Sequence, residues 1–404
     1  MRFEPTMKQA VIRRTVRNFV EPKLADAAVE MDRTARFPWD LAREMADLQY
    51  FGLEIPTEHG GAGLDAVSST MVVEEISRAN AAIGLCITVH NGVSAYPIYL
   101  FGTPEQRGRF LPLLASGEKI GTFCLTEPNA GSDMASIQST ATRRGDEYVI
   151  NGNKVFVTNG GISGINLILA RAQEAEGTKG LTVFIVESEC EGLEKGPPEE
   201  LMGMRGNPVC PISLNDCRVP SRNILGREGE GMKVALSSLN GGRIGIGAQA
   251  LGIAQASLDV SLKYTGQRYQ FGKRLVDFET TQKFLADMAI RIEGARLLIY
   301  RAAHLKDNGL DYAKESAMAK LYASEVAVEA ARRGIQIHGG YGYTKAYPIE
   351  RYYRDAKVCE IYEGTSEIQR MVIARSLLRE ISGSKGSRKE DVVHDYQMQG
   401  RQRV

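Results

Sequence analysis

EYVINGNKVFVT, residues 147–158, alternates apolar and polar side chains with the period of a β-strand, and Asn151-Gly152 sits at its centre. Asn and Gly tolerate the positive φ of a tight primed turn, so the pair predicts a hairpin at this point. Further short strands are expected at 167–170, 181–186 and 209–214, with the loop-like GLEKGPPEELMGMRGNP before the last. Residues 121 to about 228 therefore read as a small β domain.

The chain on either side has a helical period. Before it, apolar residues recur at spacings of three and four, as in Val11, Val16, Phe19 and Val20, then Leu41, Met45 and Leu48. The span 67–94, rich in Ala, Ile and Val, predicts a buried helix pair. After it come four long helical stretches, at about 232–265, 280–307, 311–338 and 364–380, separated in part by Gly309 and the turn-rich HGGYGYTKAYP. Consecutive long amphipathic helices predict an antiparallel bundle. The fold class is α+β, mostly α: an N-terminal helical domain at 1–120, a middle β-barrel-like domain at 121–228, a C-terminal four-helix bundle at 229–381, and a polar tail at 382–404. The tail reads as a flexible end that can pack on a partner subunit.

The 404 residues suit two or three domains. A formal net charge of +1 gives no electrostatic reason to seek nucleic acid or a membrane surface. The six cysteines (Cys86, Cys124, Cys190, Cys210, Cys217 and Cys359) show no C-x-x-C pair and no clustered His. That argues against a disulfide framework or a zinc site and for a reducing compartment, cytoplasmic or, after removal of a transit peptide, the mitochondrial matrix. The N-terminus MRFEPTMKQAVIRR reads as neither signal peptide nor anchor.

Five motifs invite a functional reading. Gly245-x-Gly247-x-x-Ala250 has the spacing of a dinucleotide fingerprint, but no strand precedes it, so tight helix packing is the reading. FCLTEPNAGSD (123–133) falls at the joint between the first two domains. Its hydroxyls and free amides suit a polar heteroaromatic ring or a phosphate, and a capped turn accounts for them equally well. In KVFVTNGG (154–161), Phe156 and Thr158 lie two apart on a strand and so share a face; alone, Phe156 reads as core. QIHGGYGYT (336–344) ends a helix with paired glycines, and His338 alone reads as structural. In IYEGTSEIQR (361–370), capping explains Thr365 or Ser366 but leaves Glu363 unexplained, and a carboxylate in a partly apolar pocket gains basicity.

Together, in this order and at these spacings, the last four segments resemble the acyl-CoA dehydrogenase family from about residue 6 to 381, the short-chain and butyryl-type members most closely. The resemblance implies FAD as cofactor, an acyl-CoA substrate, an electron-transferring flavoprotein as electron acceptor, and a homo-oligomer, a tetramer ahead of a dimer. It implies that Phe123, Leu125, Thr126, Gly131 and Ser132 line the flavin ring, with Ser132 also near the CoA, and that Phe156 and Thr158 cover the ring. It implies that Arg268 and Phe271 meet the diphosphate and adenine end from another subunit, that Gln336, Ile337, His338, Gly339 and Gly340 form another adenosine-diphosphate contact, and that Thr365 and Glu367 give the last FAD contacts. Asn240, Arg243, Tyr362 and Gly364 fall on the substrate side. Glu279 stands where relatives often carry a flavin-contacting Gln, which puts that one contact in doubt.

The implied reaction is α,β-dehydrogenation of the thioester, with Glu363 as base, hydride passing to the flavin, and the Glu363 N–H with a flavin ribityl hydroxyl facing the carbonyl oxygen. Relatives that carry the base elsewhere hold it just before the Arg corresponding to Arg243; here that residue is Gly242. The acyl pocket is expected from residues 85–91 and the helix near Leu251. A glutaryl-type Arg would fall near Gly84, so a simple glutaryl substrate is disfavoured, and His90 reads as a packed core histidine. Two rival readings remain: an oxygen-using flavoenzyme of the same fold, oxidase or monooxygenase, and a non-catalytic binding protein for CoA esters or flavin.

Overall fold

The computed structural model describes residues 5–172 and 180–381; the polar tail lies outside them. Thr6 opens the chain with a capping box, its hydroxyl accepting the Gln9 N–H while the Gln9 side chain accepts the Thr6 N–H. The first unit is helical: α1 (Met7–Thr34), α2 (Trp39–Asp47), α3 (Ala66–Ala79), α4 (Ala81–Thr88), a π-helical stretch Val89–Ala95, α5 (Tyr96–Phe101) and α6 (Pro104–Ala115). The run from Ala81 to Phe101 has the length and apolarity of a membrane-crossing helix, yet 89% of its most apolar window is buried inside the protein.

The strands follow: β1 (Ile120–Cys124), β2 (Thr140–Arg144), β3 (Glu147–Val157), β4 (Ser163–Ala172), β5 (Leu181–Glu187), β6 (Leu193–Lys195), β7 (Cys210–Pro220) and β8 (Ile224–Leu225). They form one sheet in the order β6-β7-β3-β2-β4-β5-β8, with β1 parallel to β4. Asn151-Gly152 is not a turn, contrary to expectation: β3 runs straight through it. The hairpin lies one strand earlier, where Gly145 (φ 64°) and Asp146 join β2 to β3. Asn151 instead bonds across to Asp216 on β7, accepting its N–H at 2.8 Å and donating to its carboxylate at 3.0 Å. Gly152 sits at a β-bulge against the same strand.

The last unit contains α7 (Gly231–Gln267), a two-residue ribbon of β9 (Tyr269–Gln270) and β10 (Lys273–Arg274), α8 (Glu279–Asp307), α9 (Ala313–His338), α10 (Ile349–Val358) and α11 (Ser366–Ile381). The four expected long helices are present, and α10 is an addition to them. Glycines let α7 lie close against its neighbours. A Cβ at Gly245 would collide with Thr88, and one at Gly252 would come within 2.7 Å of the Arg78 N on α3. The apparent dinucleotide fingerprint is thus a packing surface on α7, as its context predicts. Across the domains, Glu74 and Glu75 of α3, each 1% exposed, pair with Arg13 of α1, and Glu74 pairs with Arg296 of α8. Such pairs add little net stability, because desolvation offsets their attraction, yet removing one partner strands the other.

Candidate active site

Glu363 lies in the turn between α10 and α11 with φ 50°, followed by Gly364 at φ 92°. A non-glycine residue held there costs on the order of 1–3 kcal/mol, so its surroundings must impose it. Lys320 on α9, fully buried, donates to the Gly364 carbonyl at 2.7 Å. The Gln369 amide donates to both the Glu363 and Gly364 carbonyls, at 3.1 and 2.9 Å. Thr365 caps α11, its hydroxyl accepting the Ile368 N–H at 3.3 Å, as its sequence context predicts.

Held this way, the Glu363 carboxylate is buried with neither oxygen hydrogen-bonded among the described residues. Burial pushes its pKa up to about 8, with Lys320 and then Arg243 pulling in the opposite direction. Burial in turn lowers Lys320 to about 8. Arg243 is 4% exposed and bonds Asn240 at 2.7 Å. The Tyr362 hydroxyl donates to Gln249 at 2.5 Å, and Gln249 donates to the Ala81 carbonyl at 2.9 Å, tying this turn to α4.

The carboxylate faces a cavity of about 170 Å³ at the junction of the three units. Leu85, Val89, Val93 and Leu239 give it an apolar side, with Arg243 beside them. The β domain contributes Phe123, Leu125, Thr126, Gly131, Ser132, Phe156 and Thr158, and the α10–α11 turn contributes Tyr362, Glu363 and Gly364. Eleven of the expected site residues thus converge on one space. The loop carrying Leu125 to Ser132 is anchored from below. Fully buried Lys154 donates to Glu127 at 2.7 Å and to the Leu125 and Leu169 carbonyls at 3.2 and 2.6 Å. Glu127 also accepts from the Gln138 and Ser139 amides.

Several expectations need correction. Phe156 is not core: it is 64% exposed at φ 54°, where a bulge ends the strand alternation, so it reaches the cavity without sharing a regular strand face with Thr158. Leu251 is fully buried away from the cavity, and Leu239, three turns earlier on α7, lines it instead. Gly84 faces α3, where a Cβ would collide with Ser77, while its neighbour Leu85 lines the cavity. His90 is structural, as expected: Nδ1 accepts the Gly121 N–H at 2.9 Å, which leaves the proton on Nε2, facing the Phe51 carbonyl at 2.8 Å.

The remaining expected residues form a second patch. Tyr264 stacks on His338 with centroids 4.2 Å apart, and the Arg268 guanidinium lies 5.8 Å over the Tyr341 ring. Phe271 is 94% exposed at φ 53°. Gln336, Gly339 and Gly340 are exposed and Ile337 is half-buried. Thr365 and Glu367 open α11 outside the cavity lining, and Glu279 is exposed in the first turn of α8, where the helix dipole favours a carboxylate. Lys320, Gln249 and the Glu127–Lys154 pair were not anticipated. Lys320 was legible as a lone cation on the small-residue stripe of α9, in register with Ser316, Ala323 and Ala327.

The residues present suit a flat heteroaromatic group: an exposed Phe ring, hydroxyls from Thr126, Ser132 and Thr158, and an unpaired Arg243 Nε around one opening. Fold and cavity together define the class: helical units on either side of a β domain, with a buried, unpartnered carboxylate lining the cavity where they meet. Models of the acyl-CoA dehydrogenase N-terminal, middle and C-terminal domains match residues 6–118, 122–217 and 229–378. A short-chain specific acyl-CoA dehydrogenase of Clostridium acetobutylicum is 43% identical over 94% of this chain and 100% of its own. The butyryl-CoA dehydrogenase structure from Megasphaera elsdenii superposes with a TM-score of 0.92 at 40% identity, over 94% of this chain and 100% of that one. A chain in the structure described as the electron transferring flavoprotein of Acidaminococcus fermentans also gives 0.92, at 42% identity and the same coverage. The chain belongs to the acyl-CoA dehydrogenase family, whose members are FAD enzymes.

Proposed function

We propose that Glu363 removes the α-proton of a short-chain acyl-CoA thioester, giving the 2-enoyl-CoA. The observation that carries this is the carboxylate itself: buried, unpartnered, raised to about 8 and open to a mostly apolar cavity. A base poised near neutral pH is what abstraction of a weakly acidic C–H requires. Bound FAD supplies the acceptor for the β-hydrogen. Phe123, Leu125, Thr126, Gly131, Ser132, Phe156 and Thr158 would hold its ring, and Thr365 and Glu367 would add contacts at the turn.

Arg243, Asn240, Tyr362 and Gly364 orient the thioester, and Ser132 reaches toward the CoA. The Glu363 N–H, which has no backbone acceptor among the described residues, faces the carbonyl oxygen as negative charge grows there. Leu85, Val89, Val93 and Leu239 hold the acyl chain and exclude water. Arg268, Phe271 and Gln336–Gly340 belong to the diphosphate and adenine end bound to a second copy, in keeping with the exposure of Arg268, Phe271, Gln336, Gly339 and Gly340 and with the separation of all of them from the cavity. The assembly on this reading is a homotetramer, working in the cytoplasm or mitochondrial matrix and passing electrons to an electron-transferring flavoprotein.

Anaerobic mixing of the yellow holoenzyme with acyl-CoA esters of increasing length tests the reading. Rapid bleaching by butyryl-length esters is expected. A flavin that no ester bleaches would sink the dehydrogenation, and bleaching followed by fast recovery in air would favour an oxidase.

A further inference from the structure

Far from any role in the proposed reaction, two of the six cysteines meet in the β domain. Cys190 follows β5 in the turn that leads into β6, and Cys217 lies on β7, which pairs with β6. Nothing in their spacing announces the meeting, since 27 positions separate them. The sheet brings their sulfurs to 3.3 Å, and both are free thiols. The two differ in access. Cys217 is fully buried in the core of the sheet, among Tyr148, Ile150 and Val219. Cys190 is half-buried and lines an open crevice of about 560 Å³ whose walls carry charges of both signs, Arg109 paired with Glu187 and Lys119 with Glu189, with Arg218 and Arg222 beside them.

We infer that Cys190 and Cys217 form a peroxide-reactive dithiol, with Cys190 the sulfur attacked from solvent and Cys217 the resolving thiol behind it. The contact with Cys217 favours the Cys190 thiolate, lowering its pKa from the ordinary thiol value, while the same contact and burial raise Cys217. The Cys190 thiolate attacks one oxygen of hydrogen peroxide, the O–O bond breaks, and hydroxide leaves to be protonated to water. Cys190 is then a sulfenic acid. Cys217 gives up its proton and attacks the Cys190 sulfur; the S–O bond breaks and a second water leaves. Two thiols lose two electrons, one peroxide becomes two waters, and a disulfide joins the turn after β5 to β7.

The test is a peroxide titration of the FAD-loaded enzyme, with free thiols counted and tryptic peptides mapped by mass spectrometry. The expected product is a cross-link between peptides 180–195 and 206–218 that disappears on reduction. Because 206–218 contains both Cys210 and Cys217, a second cleavage before Asp216 assigns the partner. Cys190→Ser, at a half-buried surface position, should slow the first phase of thiol loss by about tenfold or more and abolish the cross-link. Cys217→Ala should leave Cys190 to accumulate as sulfenic acid, trapped by dimedone. A cross-link to Cys210, the absence of any cross-link while Cys190 is driven to sulfinic acid, or unchanged kinetics in Cys190→Ser would each overturn the inference.

Discussion

Gly242 lies directly against the Glu363 carboxylate: a Cβ at residue 242 would collide with the acid and sit 2.8 Å from its Cδ. The space the carboxylate occupies exists because α7 has no side chain there. Gly242→Ala should push the acid off its aim and cut kcat by about a hundredfold, as displacing a reacting group commonly does, with FAD still bound. The same geometry predicts a rescue. Gly242 points its missing side chain at the position Glu363 fills, so Glu363→Gly with Gly242→Glu should recover measurable turnover that Glu363→Gly alone lacks.

Glu363→Gln should retain FAD and lose turnover by at least about a thousandfold if the carboxylate is the base. The stability of the parent should also depend on pH in a defined direction. The Glu363 pKa is raised on folding, so the native state keeps its proton longer than the unfolded chain. That contribution is complete below about 4.5 and is lost as pH rises through about 8. The neutral amide escapes this loss. Thermal midpoints of variant and parent, compared at pH 6 and pH 9, should diverge in favour of the variant at the higher pH.

Lys320 does two things at once: it holds the Gly364 carbonyl and places a cation near the Glu363 carboxylate. Lys320→Met removes the charge that lowers the Glu363 pKa, so Glu363 stays protonated to higher pH. The acid limb of the kcat profile should move up by about one pH unit. If turnover falls by the same factor at every pH, Lys320 merely props the turn.

Glu127 and Lys154 are a buried pair, and removing one partner strands the other. Lys154→Met should cost about 3–5 kcal/mol in denaturant unfolding and loosen the loop that carries Leu125 to Ser132, which is read as weaker FAD retention on gel filtration. Loss of stability with FAD affinity intact would separate the pair from the loop.

Phe156 offers the opposite balance. Its ring is 64% exposed, so Phe156→Ala should change the stability of the apoprotein by no more than about 0.5 kcal/mol. FAD affinity or turnover should nonetheless fall, because the ring borders the cavity.

Much of this was written in the sequence, and the misses have physical reasons. The α–β–α order follows from a change of hydrophobic period, a signal that survives tertiary packing. The Asn151-Gly152 signal misled because the same residue types serve a bulge: Asn151 reaches across to Asp216 in place of reversing the chain. α10 was hidden by the Gly- and Pro-rich segment ahead of it, although Ile349, Tyr352 and Ala356 repeat at helical spacing. The site motifs located the cavity, but not what its supports act on, although Lys320 stood out as a cation on the small-residue stripe of α9. Lys320 and Gln249 act on Glu363 and Tyr362 from more than forty positions away in the chain.

The apolar run from Ala81 to Phe101 carries a cost that the finished molecule conceals. Its mean hydropathy of 1.2 over a membrane-length helix is fully masked only once α7 joins α3 and β1 against it, with Gly92 meeting Gly242 and Thr88 meeting Gly245. A ribosome must add roughly 130 more residues before α7 begins, which at 5–20 residues per second takes about 6–26 s. Throughout that interval the nascent chain displays something close to a membrane anchor, and chaperones that shield such segments during synthesis would decide whether it reaches its fold or is diverted to a bilayer.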